Sequence, residues 1–478
     1  MPPLRVLAVA SEAFPLVKTG GLGDVVGALP VALAPEQVAV TTLLPGYPEV
    51  LAALDRQGEP RPLPPLFDGP VRLLPGRAAG LDLLVLEAPH LFDRPGNPYQ
   101  APDGTPWPDN DLRFAALGRA AAFAAEGFDA VHAHDWQAGL VPAYLRHGSA
   151  KLPRCLFTLH NLAFQGQFPA SLFPQLGLPP AAFRMYGVEY HGSVGFLKAG
   201  LFYADRVTTV SPTYAAEIRT PEGGMGLDGL LRGRGAVLSG ILNGLDTVEW
   251  DPAADPHLPA CYGPGNVSPR AANKAALQAR FALQPDPATP LFGFIGRLAW
   301  QKGVDLVLEA LPWLLEAGGQ LVILGSGDPV LEERCRGAAA SLPGQVGAIT
   351  GYDEALAHLV QGGADSILVP SRFEPCGLTQ LCALRYGAPP IVARTGGLAD
   401  TVVDANEMAL AAGAGSGFQV RPDSAPMLGE AIARAAALLR DPDGAWQRLQ
   451  ANAMATDVSW RRSAARYAAL LREIAAPG

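Results

Sequence analysis

Short apolar runs, each closed by a polar or glycine-rich turn and followed by helical periodicity, recur through the first half of the chain. They are RVLAVAS (5–11), VAVTTLLP (38–45), LDLLVLEA (81–88), AVHAHD (130–135), RCLFTLH (154–160), RVTTVS (206–211) and AVLSGILNG (236–244). Runs that stay apolar at consecutive positions belong to strands buried on both faces. Their alternation with helical segments predicts a parallel sheet covered by helices. Around 247–290 the pattern lapses into TVEWDPAADPHLPACYGPGNVSP, rich in Pro, Asp and Gly, which reads as a connection between domains. A second series follows, with LFGFIGR (291–297), QLVILGS (320–326), VGAIT (346–350), DSILVP (365–370) and PPIVART (389–395) as its strands. The expectation is an α/β protein of two Rossmann-like, doubly wound domains facing a central cleft, over 1–246 and 247–458. Residues 459–478 read as an amphipathic helix crossing back to the first domain, with Trp460, Tyr467 and Leu471 near one stripe.

Composition narrows the class. With 478 residues, 49% hydrophobic and 17% charged, the chain suits an ordered protein of two or three domains. A formal charge of −9 argues against nucleic acid or an anionic membrane as partner, since either calls for a dominant positive face. No apolar run approaches a membrane span, and the start lacks the pattern of an exported protein. The five cysteines form no CxxC pair, which suggests a reducing, cytoplasmic setting without a disulfide framework or zinc site.

Four segments at strand ends carry candidate chemistry. Lys18-Thr19-Gly20-Gly21-Leu22-Gly23-Asp24 lies between a strand and a helix, where glycines let backbone N–H groups approach an anion. It is neither a dinucleotide fingerprint nor a P-loop, and by itself reads equally well as a tight turn. Gly296-Arg297-Leu298-Ala299-Trp300-Gln301-Lys302 places two cations at a strand end, where they can stabilise a departing diphosphate; alone, an exposed helix start is the commoner reading. In Pro370-Ser371-Arg372-Phe373-Glu374-Pro375-Cys376-Gly377-Leu378-Thr379, Glu374 is placed to bind sugar hydroxyls or to stabilise oxocarbenium character. The N–H groups of Gly377, Leu378 and Thr379 offer an anion site beside it. His160 and Asn161 end the RCLFTLH strand. Asp109-Asn110-Asp111 and Asp441-Pro442-Asp443 match the Asp-x-Asp pattern that holds a divalent ion, but both sit outside strand ends. His132 and His134 lack a third ligand, so no metal is assigned.

Taken in order, KTGGLGDV (18–25), HAHDWQ (132–137), TLHNLAFQG (158–166), GILNGLD (240–246), GRLAWQKGVD (296–305), PSRFEPCGLTQL (370–381) and RTGGLADTV (394–402) resemble the bacterial glycogen synthases and plant starch synthases. These are retaining glucosyltransferases of glycosyltransferase-B architecture. The resemblance implies transfer of glucose from ADP-glucose to the non-reducing 4-hydroxyl of glycogen or another α-1,4-glucan, with no cofactor and no metal. It further implies that Lys18 with Gly20 and Gly21 contacts the donor phosphates and that Arg297 with Lys302 clamps the diphosphate. His160, with Asp135 and Asn243 nearby, would contact the transferred glucose. Glu374 would be the essential carboxylate, Gly377, Leu378 and Thr379 would line the donor site within the Cys376 motif, and Tyr352 would stack on the base. The chain departs from relatives that pair two glutamates eight positions apart, because that position holds Cys382. Rival readings are a transferase for UDP-glucose or a sucrose- or trehalose-type acceptor, a non-catalytic glucan-binding scaffold, and a pyridoxal-phosphate phosphorylase.

Overall fold

The computed structural model describes residues 2–148 and 152–476. The chain forms two compact units, one of Met1–Asn243 with Trp460–Gly478, the other of Gly244–Ser459.

The first unit is built on strands β1 (Leu4–Val9), β2 (Val38–Pro45), β3 (Asp55–Arg56), β4 (Arg61–Leu66), β5 (Gly69–Ala78), β6 (Leu81–Glu87), β7 (Ala130–His134) and β8 (Arg154–Leu159). A separate three-stranded antiparallel sheet holds β9 (Gln167–Pro169), β10 (Glu189–Tyr190) and β11 (Ser193–Gly195), after which β12 (Arg206–Thr209) and β13 (Leu238–Gly240) return to the main sheet. The main sheet runs β13-β12-β8-β7-β1-β2-β6-β5-β3, with β4 paired to β5. From β13 to β6 every pairing is parallel, while β3, β4 and β5 form an antiparallel flank. That flank is not evident in the hydrophobic runs because β4 is mostly exposed and β5 alternates buried with exposed residues along much of its length, as a one-sided strand does. Segment 174–192, which the sequence leaves unplaced, folds as short 3₁₀ turns leading into β10. The buried Lys198 ties it down by donating to the carbonyls of Met185, Gly187 and Glu189.

The helix Arg461–Ala475 completes this unit. Its buried stripe, including Ala464, Tyr467, Ala468, Leu471 and Ile474, packs with Val6, Leu29, Leu33, Leu156 and Ile241. Arg466 donates to the Gly240 carbonyl at 2.8 Å.

The second unit holds β14 (Leu291–Ile295), β15 (Gln320–Gly325), β16 (Val346–Thr350), β17 (Ser366–Val369), β18 (Ile391–Ala393) and β19 (Phe418–Val420) in the order β16-β15-β14-β17-β18-β19, all parallel. The stretch from 247 onward, expected to be a connection, is instead packed onto this unit. Trp250 stacks on His358 with ring centroids 3.8 Å apart, and Asp255 accepts from the Tyr386 hydroxyl at 2.6 Å. The Tyr262 hydroxyl donates to the Tyr386 carbonyl, and a helix spans Arg270–Arg280. Turn-forming composition concealed these anchors, which are single side chains without periodicity. Among the described residues no helix is long and apolar enough to cross a membrane.

Candidate active site

In an open parallel sheet a ligand crevice opens where the winding reverses, beyond the carboxyl ends of the strands. In the first unit β1 leads outward to β2, and the chain later returns to lay β7 on the other side of β1, so the reversal lies between β1 and β7. The loops leaving β1, β7 and β8 carry Lys18, Gly20 and Gly21, then Asp135, then His160 and Asn161. In the second unit β14 leads to β15 on one side while β17 lies on the other. The loops leaving these two strands hold Arg297 and Lys302, and Glu374.

In the first unit the glycine-rich loop wraps a buried carboxylate. Glu12, 2% exposed, accepts from the Thr19 hydroxyl at 2.7 Å and the Gly20 N–H at 3.3 Å, and also from the Thr19 N–H and the Tyr99 hydroxyl. The Gly20 N–H is therefore engaged internally. Lys18 pairs with Asp24 at 2.8 Å and lies 5.2 Å above the Phe14 ring. A Cβ built on Gly20 or Gly21 would meet no atom within 4 Å, and neither residue has a positive φ. Nothing in the unit's own packing requires glycine there, which leaves an open face over the start of the helix Gly21–Leu33.

At the ends of β7 and β8 three imidazoles are buried together. His132 Nε2 lies 2.7 Å from the Thr158 hydroxyl, and His134 Nδ1 lies 3.1 Å from His160 Nε2. Burial pushes His132 and His160 down to about 3, and pushes His134 well below the ordinary imidazole value, with its two histidine neighbours acting in the same direction. All three are neutral at pH 7, so His160 is fitted to hydrogen-bond a hydroxyl. Burial drives Asp135 the other way, up to about 8, although the backbone N–H groups of His160, Trp136 and Asn161 oppose the rise. Asp135 also adopts φ 58° and ψ −175°, a region that costs a non-glycine residue roughly 1–3 kcal/mol. Its Oδ1 and the Oδ1 of Asn243 are buried without a hydrogen-bond partner among the described residues. Asn161 turns its Oδ1 to the Ala163 N–H at 3.0 Å.

These shifts set a pH dependence. Above about 6.5 the histidines are neutral whether the chain is folded or not; below it the unfolded chain takes up protons that the folded unit refuses. Stability therefore falls with acid below about 6.5, down to about 3 for His132 and His160 at roughly 1.4 kcal/mol per pH unit each, and His134 acts in the same direction. Asp135 opposes this, since its contribution is full below about 4 and is lost as pH rises toward 8. Imidazole nitrogen resonances recorded from pH 8 to 5 should show these three rings neutral throughout. A ring among them titrating near 6.5 would contradict the burial argument.

In the second unit, Lys302 Nζ donates to Glu374 Oε2 at 2.5 Å and the Ser371 hydroxyl donates to the same oxygen at 3.0 Å. Gln301 joins the two loops. Its amide donates to the Phe373 carbonyl at 3.1 Å, its carbonyl accepts from the Arg372 N–H, and its side-chain oxygen accepts from the exposed Arg297 guanidinium at 3.3 Å. Arg372 bridges to Asp305 at 2.8 Å and lies 4.6 Å over the Trp300 ring. Gly303, at φ 72°, lies so close to Pro370 that an added Cβ would come 2.3 Å from its carbonyl oxygen. On the far side the Gly397 N–H donates to the carbonyls of Glu374 and Pro375, and the Gly396 and Gly397 backbone packs directly on Glu374 and Cys376. Gly377 is left-handed at φ 78°, Leu378 follows it, and Thr379 opens the helix Thr379–Arg385. The buried Gln380 braces this turn on the carbonyls of Cys376 and Gly377. Tyr352 is 78% exposed, and its hydroxyl donates to Glu354.

Within the second unit the structure thus gathers Arg297, Lys302 and Glu374, with Gly377, Leu378 and Thr379 continuing the Glu374 loop; Tyr352 stands apart after β16. Within the first unit it sets Lys18, Asp135 and His160 on adjacent strand ends. Sequence reasoning missed Glu12, Gln301 and Ser371. Glu12 was detectable as an acid three residues past a buried strand, whereas Gln301 and Ser371 carried no signal beyond lying inside a motif. Asp109, half of one Asp-x-Asp match, is held by Arg94 at 2.8 Å. Among the described residues no three His, Cys, Asp or Glu side chains gather as a metal cluster.

Residues 5–233 match the family described as "Starch synthase catalytic domain", and residues 277–451 match "Glycosyl transferases group 1". With two doubly wound sheets whose reversal points carry the Lys18 and the Lys302–Glu374 loops, the protein is a glycosyltransferase of glycosyltransferase-B fold. It is 58% identical over 480 residues to the glycogen synthase of Rhodopseudomonas palustris strain HaA2, covering 99% of both chains. The catalytic domain of starch synthase IV from Arabidopsis thaliana, solved with ADP and acarbose, aligns with a TM-score of 0.88 at 34% identity over 99% of each chain. Sucrose-phosphate synthase from Thermosynechococcus elongatus shares the fold, with a TM-score of 0.61 and 20% identity over 98% of this chain and 99% of that one. The chain belongs to the glycogen synthase family.

Proposed function

We propose that the protein transfers glucose from ADP-glucose, with retention at C1, to the 4-hydroxyl at the non-reducing end of an α-1,4-glucan. The observation that carries this reading is the Lys302–Glu374 pair at the winding reversal of the second sheet, with Arg297 linked to it through Gln301. As the C1–oxygen bond to the diphosphate breaks, negative charge grows on the leaving ADP and positive charge grows at C1. Arg297 and Lys302 stabilise the first and the Glu374 carboxylate the second. Arg297, Lys302 and Glu374 together carry one net positive charge, which favours the anionic diphosphate. The acceptor oxygen bonds to C1 on the face the diphosphate leaves, and its proton passes to the departing phosphate oxygen.

In this reading Lys18 and the Gly20–Gly21 face meet the donor, and the neutral His160 bonds a hydroxyl of the transferred glucose. Asp135 Oδ1 and Asn243 Oδ1, both without partners among the described residues, accept from sugar hydroxyls. Gly377, Leu378 and Thr379 line the phosphate side, and the exposed ring of Tyr352 receives the base. Adenine is supported by the starch synthase IV structure that carries ADP. No divalent ion is required, because fixed cations stand where it would act. A cytoplasmic setting is part of the proposal, supported by five free thiols.

The test is turnover with glycogen, comparing ADP-glucose with UDP-glucose, with and without EDTA, and reading the anomeric configuration of the product by NMR. Expected are a kcat/KM preference for ADP-glucose of more than about tenfold, an α-linked product and no effect of EDTA. Activity abolished by EDTA and restored by magnesium or manganese would overturn the metal-free clamp, and a preference for UDP-glucose would overturn the donor.

A further inference from the structure

We infer that Glu12 is a positioning residue for the transfer reaction: its buried carboxylate holds the Thr19–Gly20 turn in the shape that presents Lys18 and Gly21 to the donor. The inference rests on the reading of Lys18 and the glycine face as a donor contact.

Four donors converge on this one side chain. Thr19 supplies its N–H and its hydroxyl, Gly20 its N–H and Tyr99 its hydroxyl. The base of the loop is closed by backbone bonds, from Phe14 N–H to the Gly23 carbonyl and from Val17 N–H to the Ala13 carbonyl. Its tip has little packing of its own. Leu16, Val17 and Lys18 border a cavity of about 240 Å³, and nothing lies within 4 Å of where a Cβ on Gly20 or Gly21 would be. With its glycine pair facing open space and Leu16 to Lys18 bordering a cavity, the loop is held at Lys18 by Asp24 and Phe14 and at the Thr19–Gly20 turn by Glu12. The carboxylate also occupies the Thr19 and Gly20 N–H groups that would otherwise capture an anion, so the loop meets a ligand through the Lys18 ammonium and the helix start at Gly21. Tyr99, bonded to the Ser11 hydroxyl at 2.8 Å as well as to Glu12, draws the 94–109 loop into the same arrangement.

The role is positional, which fixes the test. A glutamine at this site can accept the two N–H groups with its carbonyl and donate its amide to the Thr19 and Tyr99 hydroxyls, restoring the geometry without the charge. In the full chain, Glu12→Ala is expected to weaken ADP binding by calorimetry and raise the donor KM by roughly tenfold. Glu12→Gln should stay within about threefold of the parent. Should Glu12→Ala fail to fold, Thr19→Val, which removes one donor and keeps the backbone, should raise the donor KM by about threefold at unchanged Tm. Glu12→Ala binding ADP like the parent while Lys18→Ala does not, or Glu12→Gln as impaired as Glu12→Ala, would overturn the positioning role. Parental ADP binding by Lys18→Ala would instead overturn the donor-contact reading beneath it. A lowered Tm with parental KM in Glu12→Ala would reduce Glu12 to a structural part.

Discussion

Glu374→Ala is expected to lower kcat by roughly a hundred- to a thousandfold with little change in Tm. The loss falls on kcat because the charge that Glu374 answers appears only while the C1–oxygen bond is breaking. Stability is largely spared, since the freed Lys302 ammonium is partly exposed and water takes the place of its partner. Lys302→Ala is the asymmetric counterpart. It leaves a carboxylate that is only 6% exposed with the Ser371 hydroxyl as its remaining side-chain donor, so a stability loss of about 1–3 kcal/mol accompanies a comparable fall in kcat. The double variant should fall less than the sum of the singles, because each single change already breaks the same pair. Steady-state kinetics and thermal melts on the three variants check this. Near-parental kcat in either single variant would remove that residue from the reaction.

Gly303→Val should be strongly damaging although it replaces no group assigned to the donor. Its left-handed φ of 72° costs a branched side chain about 1–2 kcal/mol, and a Cβ 2.3 Å from the Pro370 oxygen forces two strand-end loops apart for roughly 1–3 kcal/mol more. Because Lys302 precedes Gly303 and Glu374 follows Pro370, the same displacement opens the ion pair. Tm should drop by several degrees and kcat by at least about tenfold, as checked by melts and kinetics on one preparation. Parental values would mean the loops are not in register through this contact.

The parallel strands were readable because burial on both faces writes itself as uninterrupted apolar runs; β2 coincides with its run at 38–45. The antiparallel flank β3–β5 escaped because a one-sided strand with Pro and Arg on its open face resembles a loop. Segment 247–268 escaped for a related reason. Its anchors Trp250, Asp255 and Tyr262 act singly, and what they bind, His358 and Tyr386, lies more than a hundred residues away. At the candidate site, charged motif residues at strand ends stood out, but the groups that aim them did not. Glu12 beneath the glycine turn, Gln301 between two loops, and the Gly396–Gly397 backbone against Glu374 are decided by which strands become neighbours, a property of the winding and not of any local pattern.

The return of the helix Arg461–Ala475 to the first sheet has a bearing on synthesis at the ribosome. Val6, Leu29, Leu33 and Leu156 emerge early, yet the side chains that cover them are translated only after the whole of the second unit. That face of the first sheet must therefore wait without its covering helix while some two hundred further codons are read, so its final locking comes only after the second unit has been translated.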